Sequence, residues 1–250
     1  MNPLMLQRVR AVQDEVRAHF GWSIEDDEFS ALKLEKEMSE HCPFGVEKWS
    51  AENRRDALQR LRHRIQSASM ITFVGAAVER HQLVATPEVH GEYIVADGAV
   101  GACFDRIEPL CVVSDFDGVP YLDEAAIRGI PLILHAHGDN ITAWNEKLTQ
   151  WSKLQQPPDI ILTHQTPLHL NEMFNVGGFT DGDRAVCFAQ WCGATPDRVT
   201  FLGYTTTKVG KWSGHTTPHR KLEKLEWMER ILNFFPVMYE KYEYSKVEEV

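Results

Sequence analysis

The chain has 250 residues, 43% hydrophobic and 25% charged, which are the proportions of a soluble globular protein with room for one large domain and a small appendage. Its 26 basic residues against 36 acidic ones give a net charge of −10, which argues against a general nucleic-acid or anionic-membrane surface but leaves space for a local basic pocket. No apolar run approaches the roughly 20 residues of a membrane span.

Up to about residue 66 the pattern is helical. Leu4, Leu6, Val9, Val12 and Val16 recur at helical spacing, and Ser50 followed by Asn53 marks the start of a further helix. The first residues are charged throughout and lack a signal-peptide core. The five cysteines form no C-x-x-C, and Cys103 and Cys111 sit in apolar surroundings, so buried free thiols and a cytoplasmic location are expected.

From Met70 the texture changes to short apolar runs that stop at Gly or Asp. They are MITFVGAA (70–77), EYIVADGA (92–99), LCVVSDFDG (110–118), PLILHAHGD (131–139), DIILTHQT (159–166) and VTFLGYT (199–205). Helix-like pieces lie between them, among them YLDEAAIRG, NITAWNEKLTQW and TDGDRAVCFAQWCG. Near-continuous apolar strands alternating with helices predict a doubly wound, mainly parallel, Rossmann-like α/β sheet. The expected organisation is an α-helical region over 1–68, an α/β domain over 69–214, and a C-terminal helix and polar tail over 215–250.

In such sheets ligands bind beyond the carboxyl ends of the strands. Polar residues concentrate there. EYIVADGA delivers Asp97 and Gly98, VVSDFDGV delivers Asp115 and Asp117, and PLILHAHGDN delivers His135, His137, Gly138, Asp139 and Asn140. The stretch after NVGG delivers Thr180, Asp181, Asp183 and Arg184. Each has an ordinary structural explanation. Asp139 or Asn140 could cap the next helix, T-x-x-D at Thr180–Asp183 fits a capping box, and a histidine such as His135 is commonly a hydrogen-bonded core residue. Together these explanations weaken. Asp97, Asp115, Asp117 and Asp139, on three successive strand ends, would repel one another without a cation among them. Mg²⁺ fits best, being a hard ion that combines one or two carboxylates with waters and substrate phosphates.

The common phosphate-binding signatures are missing: there is no G-x-x-x-x-G-K-[ST], and VGAAVER at 74–80 has one glycine where a dinucleotide fingerprint needs three. That segment can still bring helix N-terminal amides to an anion at Gly75, with Arg80 at hand. Arg184, Lys208, Lys211 and Lys221 are further cations that could meet a triphosphate.

DFDGV also matches the nucleophile motif of haloacid-dehalogenase-like phosphatases, with Asp115 as the phosphorylated residue. Against this, the motif normally opens the catalytic domain, whereas two strand candidates precede it here. His135-x-His137 as an amidohydrolase metal pair would need eight strand–helix units, and about six strand candidates are present. A nucleotide-binding module without turnover is the remaining alternative.

The ordered set ADGA (96–99), SDFDG (114–118), HAHGDN (135–140), NVGGFTDGDRAVCFA (175–189) and KLEKLEW (221–227) resembles the archaeal 6-hydroxymethyl-7,8-dihydropterin pyrophosphokinase family over about residues 70–230. The first three blocks also resemble a variant of the thiamin pyrophosphokinase pattern. The resemblance implies Mg²⁺-dependent transfer of diphosphate from ATP to a reduced pterin, with release of AMP. It implies Asp97, Asp115, Asp117 and Asp139 as catalytic residues, with Asp115, Asp117 and Asp139 on the metal. Gly75, Arg80, Gly98, His137, Gly138, Asn140, Thr180, Asp181, Asp183, Arg184 and Lys221 would surround nucleotide and pterin, and Trp144 or Phe179 would stack on the pterin ring. ATP and the pterin are the expected partners, without nucleic acid or membrane, and a homodimer is compatible with the reading.

Overall fold

The computed structural model describes residues 1–83, 91–214 and 217–235. The tail expected over 236–250 therefore lies outside the described residues, as do 84–90 and 215–216.

The strands are β1 (Met70–Val74), β2 (Gly91–Ala96), β3 (Cys111–Ser114), β4 (Leu132–Ala136), β5 (Ile160–His164), β6 (Met173–Phe174) and β7 (Val199–Leu202). They form one sheet in the order β6-β5-β4-β3-β2-β1-β7, with every neighbouring pair parallel. Six of the seven coincide with the apolar runs. The two-residue β6 is too short to leave a periodic signal, and it extends the sheet beyond β5.

The helices are α1 (Pro3–Phe20), α2 (Ile24–Met38), α3 (Ala51–Ser67), α4 (Val100–Cys103), α5 (Tyr121–Ile127), α6 (Ile141–Trp151), α7 (Asp181–Cys192) and α8 (Pro218–Leu232). Local chemistry fixes their ends. Asn2 accepts from the Met5 N–H with Pro3 behind it, Ser23 accepts from Glu25, Ser50 accepts from Asn53, and Thr180 and Asp183 form the expected capping box on α7.

Alternation along the strands splits the interior into two cores. Ile71, Phe73, Ile94, Cys111, Val113, Ile133 and Ile161 face one side, with α1, α3, α7 and α8 over them. Val74, Val95, Val112, Leu132, Leu134 and Leu162 face the other, with α2, α4, α5 and α6. Right-handed crossovers explain the split: steps from β2 to β5 run one way along the sheet and put their helices on one face. The return from β6 to β7 runs back and puts α7 on the other. Trp49, Trp144 and Trp151 are fully buried in the second core, each contributing on the order of 2–3 kcal/mol of transfer free energy. Trp144, expected as a candidate for pterin stacking, belongs to this core and donates its N–H to Ser30, so its ring is closed to any ligand.

The N-terminal helices clasp the sheet, with α1 and α3 on one face and α2 on the other. A buried ion pair ties them to the rim: Arg17 Nη1 donates to Asp27 Oδ2 at 2.9 Å. Gln165 donates to both Asp27 oxygens, and the Gly138 N–H donates to Asp27 Oδ1 at 2.8 Å. Removing the carboxylate takes the buried partner from Arg17, which keeps Asp14 and the Gln165 carbonyl, and leaves the Gly138 N–H and the Gln165 amide without their acceptor. Asp27→Ala is expected to cost about 3 kcal/mol of unfolding free energy in urea titration, and a loss below about 1 kcal/mol would contradict this account.

Candidate active site at the carboxyl rim

β3 is the middle strand, and its tip carries the D-x-D. Phe116, between the two aspartates, adopts φ +79 and turns its ring into the core, where it stacks on Trp151 at 6.1 Å. The Ser114 hydroxyl holds this corner by accepting from the Phe116 N–H at 2.9 Å. On the neighbouring tip Asp97 also lies in the left-handed region, at φ +45. Its Oδ1 accepts from Ser114 Oγ at 2.6 Å and from the Gly118 N–H at 3.0 Å. Two non-glycine residues in left-handed backbone on adjacent tips are strained by about 1–3 kcal/mol each, a feature that concentrates at functional sites.

The turns leave no room for side chains at two points. A Cβ at Gly118 would sit 2.4–2.5 Å from the Asp97 carboxylate, and one at Gly214 would sit 2.7 Å from that of Asp117. Glycine at these positions is what lets the two carboxylates stand against the backbone.

Four carboxylates meet here: Asp97, Asp115, Asp117 and Asp181 each offer an oxygen within 4.8 Å of the others. Asp181 comes from the opposite layer, in the first turn of α7, and Arg184 Nη1 orients it at 2.7 Å. The buried Arg184 also donates to the Phe179 carbonyl at 2.8 Å.

Electrostatics divides the group. Burial, then the charges of Asp117, Asp181 and Asp115, push the Asp97 pKa well above the carboxylate range. Burial and Asp115 raise Asp181 likewise, against the pull of Arg184. Asp117 keeps an exposed edge, yet lost hydration within the rim and the Asp115 charge raise it too. Burial alone would also raise Asp115. The His137 hydrogen bond and charge, with Arg184 and Lys224, instead hold it well below the usual range. His137 Nε2 lies 3.3 Å from Asp115 Oδ2.

Asp115 Oδ1 is buried with no hydrogen-bond partner. An unpaired buried oxygen within a set of four carboxylates fits a hard divalent cation, which takes oxygen ligands and relieves like-charge repulsion.

Asp139, expected as the third ligand, stands apart from this group. Beyond β4 the Asn140 side chain spans the rim: its Nδ2 donates to the carbonyls of His135 and Asp115, and its Oδ1 accepts from the His137 N–H. That bracing turns Asp139 outward, where its side chain is 95% exposed and faces His137 Nδ1 at 3.3 Å. Asn140 occupies the N-cap position of α6 but makes no side-chain capping bond. His135 is fully buried between Thr163 and Gln165, so the two histidines do not form a metal pair.

A cleft adjoins the carboxylates on the β1–β7 side. Gly75, Asp97, Thr180, Asp181 and Lys221 line it, joined by Tyr204, Thr205, Lys208, Trp212 and Ser213 from the segment after β7. It opens beyond the carboxyl ends of the parallel neighbours β1 and β7, the end of the sheet at which α/β folds hold ligands. Gly98 lies beneath the Trp212 carbonyl, where a Cβ would be 2.4 Å away. Arg80 is not part of the lining; it donates to the Gly101 carbonyl at 2.8 Å and lies over the Trp212 ring. Asp183 is fully buried in its capping role, accepting from Phe179, Thr180 and the Thr180 hydroxyl. Asp181, expected on a wall around the nucleotide and pterin, belongs to the carboxylate cluster. The segment 203–214, where GKWSG lacks the first half of a P-loop and only Lys208 and Lys211 were expected near phosphate, supplies a wall of the cleft. The GKWSG run within it, dense in glycine beside a tryptophan, was the available signal.

Among the described residues no helix is long and apolar enough to cross a membrane. No family model matches the chain. It is 36% identical over 154 residues to a Pyrococcus furiosus protein named 6-hydroxymethyl-7,8-dihydropterin pyrophosphokinase, covering 58% of this chain and 62% of that one. A protein of the same name from Methanothermobacter thermautotrophicus is 34% identical over 152 residues, covering 56% and 61%. A third, from Methanocaldococcus jannaschii, is 41% identical over 104 residues, covering 39% and 40%. The matched stretch thus spans about three-fifths of the length of the first two relatives.

Proposed function

We propose that this chain transfers diphosphate from ATP to 6-hydroxymethyl-7,8-dihydropterin, yielding the pterin diphosphate and AMP. The observation that carries the reading is the convergence of Asp97, Asp115, Asp117 and Asp181 beside a cleft lined by Gly75, Lys208 and Lys221. The shared name of the three relatives supplies the acceptor.

In this reaction the hydroxymethyl oxygen forms a bond to the β-phosphorus and releases its proton to solvent, the bond to the bridging α-phosphate oxygen breaks, and AMP departs with that oxygen. Such transfers ask for positioning and charge neutralisation rather than covalent work by the protein. Asp115 and Asp117, with Asp97 and Asp181, would hold Mg²⁺, whose contribution is to neutralise phosphate charge. Asp115 is already ionised and oriented by His137, so it serves as the fixed anchor of the set. Arg184 holds Asp181 in place from α7. Lys208 and Lys221 bring positive charge to the polyphosphate along the cleft, and Thr180, Thr205 and Ser213 offer hydroxyls there. Gly75 and Gly98 let the loops after β1, β2 and β7 approach closely enough to form its walls.

The test is product identity. Incubation with ATP, Mg²⁺ and the reduced pterin should give AMP and pterin diphosphate in equal amounts. ADP as the product, or phosphate released from a phosphomonoester without ATP, would overturn the proposal. The latter result would restore Asp115 as a phosphatase nucleophile.

The raised carboxyls also predict a linkage between pH and metal. A carboxyl whose folded-state pKa lies above its unfolded value stabilises the fold below the unfolded pKa and loses that contribution as pH rises through the folded one. Asp97, Asp117 and Asp181 behave in this sense, while the depressed Asp115 loses its contribution only as pH falls. At one fixed Mg²⁺ concentration, a hundredfold above the Kd at about pH 8, the melting temperature should therefore rise by roughly 5–10 °C at that pH and by clearly less at about pH 5.5. An equal gain at both pH values in a thermal-shift assay would contradict the carboxylate assignment.

A further inference from the structure

Beside the carboxylates lies a second constellation that the cleft does not include. α1 ends at Phe20, Gly21 adopts the left-handed conformation at φ +68, and the Trp22 N–H returns to the Arg17 carbonyl at 2.9 Å. Ser23 then caps α2, so Phe20 and Trp22 sit on a short corner fixed at both ends. Their rings stack at 4.7 Å with 18° between planes. Phe179, two residues before Asp181, meets both, at 5.9 and 6.0 Å. Phe20 and Trp22 are half-buried.

From α8, two long cationic side chains lie over this group. Arg220 lies over Phe20 and Trp22 at 5.6 and 5.4 Å, and Lys224 over Trp22 and Phe179 at 5.6 and 5.7 Å. Lys221, one helical turn before Lys224, lines the phosphate cleft instead. One face of α8 thus serves both regions, and the Lys224 charge is felt at Asp115.

We infer that Phe20, Trp22 and Phe179 form the stacking platform for the flat heteroaromatic ring of the acceptor, with Arg220 and Lys224 pairing with its polar edge. This rests on the diphosphate-transfer reading. In-line transfer needs acceptor and leaving group on opposite sides of the reacting phosphorus, hence two pockets that meet at the metal carboxylates. The β1–β7 cleft is one. The aromatic corner is the other: a flat ring can displace flexible cations from the ring faces, and those cations then meet ring carbonyl and nitrogen acceptors. The α1–α2 corner comes from the N-terminal helices, which gives them a share in specificity as well as in packing.

The experiment compares Trp22→Ala and Trp22→Phe with the unaltered protein, measuring KM for the pterin and for ATP separately. Trp22→Ala should raise the pterin KM tenfold or more, the scale of losing one base-on-aromatic stack. Trp22→Phe should recover most of it, and the ATP KM should stay within about twofold in both. An unchanged pterin KM, or an ATP KM that rises as much, would overturn the inference. Direct titration with oxidised 6-hydroxymethylpterin, followed by tryptophan fluorescence, separates the two levels. Absence of AMP formation by the unaltered protein would sink the transfer reading. Equal binding of the oxidised pterin by the unaltered protein and Trp22→Ala would sink the platform.

Discussion

Asp117→Asn is expected to lower diphosphate transfer by about 10³-fold or more while raising the melting temperature of the metal-free protein. The two effects share one cause. Asp117 stands among Asp97, Asp115 and Asp181 with a raised pKa, so ionising it in the folded state is costly without a cation. An amide of the same shape removes that repulsion and also removes a ligand. Asp115→Asn should be as damaging to activity without any stability gain. Its carboxyl is held well below the usual range with the help of the His137 contact, and an amide forfeits that stabilisation. Transfer that survives within a fewfold in both variants would remove the metal assignment. Stabilisation of Asp115→Asn to the same extent as Asp117→Asn would show that the electrostatic division within the group is wrong. The measurements are kcat at saturating ATP and a thermal melt in chelator.

The second large effect separates Asp181 from Asp139. Asp181→Asn should cost about 10²-fold or more in kcat, because it removes a member of the cluster that Arg184 holds in place. Asp139→Asn should leave kcat within about threefold, since its side chain is 95% exposed and outside the cluster. The reverse ranking would return the third ligand to the tip of β4.

That contrast also shows how far the sequence could be read. The six longer strands, the Ser50 cap and the α7 capping box follow from apolar runs and short-range chemistry, and they appear where expected. Asp97, Asp115 and Asp117 were legible because parallel strands deliver their ends to one rim, and adjacent tips must be close. The fourth carboxylate depends on something a linear pattern does not carry. α7 belongs to the return crossover on the opposite face, and its first turn reaches the rim only once the sheet has closed the distance between residues 117 and 181. Asp139 misled for a local reason. It follows its strand as Asp115 does, but the Asn140 amide bonds to the backbone on both sides and turns the neighbouring carboxylate outward. Of the aromatic corner only Phe179 was expected near the pterin; Phe20 and Trp22 look like core residues in sequence and meet it only through tertiary packing.

The most direct measurement is anomalous diffraction from crystals soaked in Mn²⁺ with a non-hydrolysable ATP analogue. The account predicts a manganese peak coordinated by oxygens of Asp115 and Asp117, with Asp97 and Asp181 around it and the analogue's phosphates running toward Lys208 and Lys221. Manganese bound at His137 and Asp139 instead, or no ordered ion among the four carboxylates with the analogue in place, would contradict it.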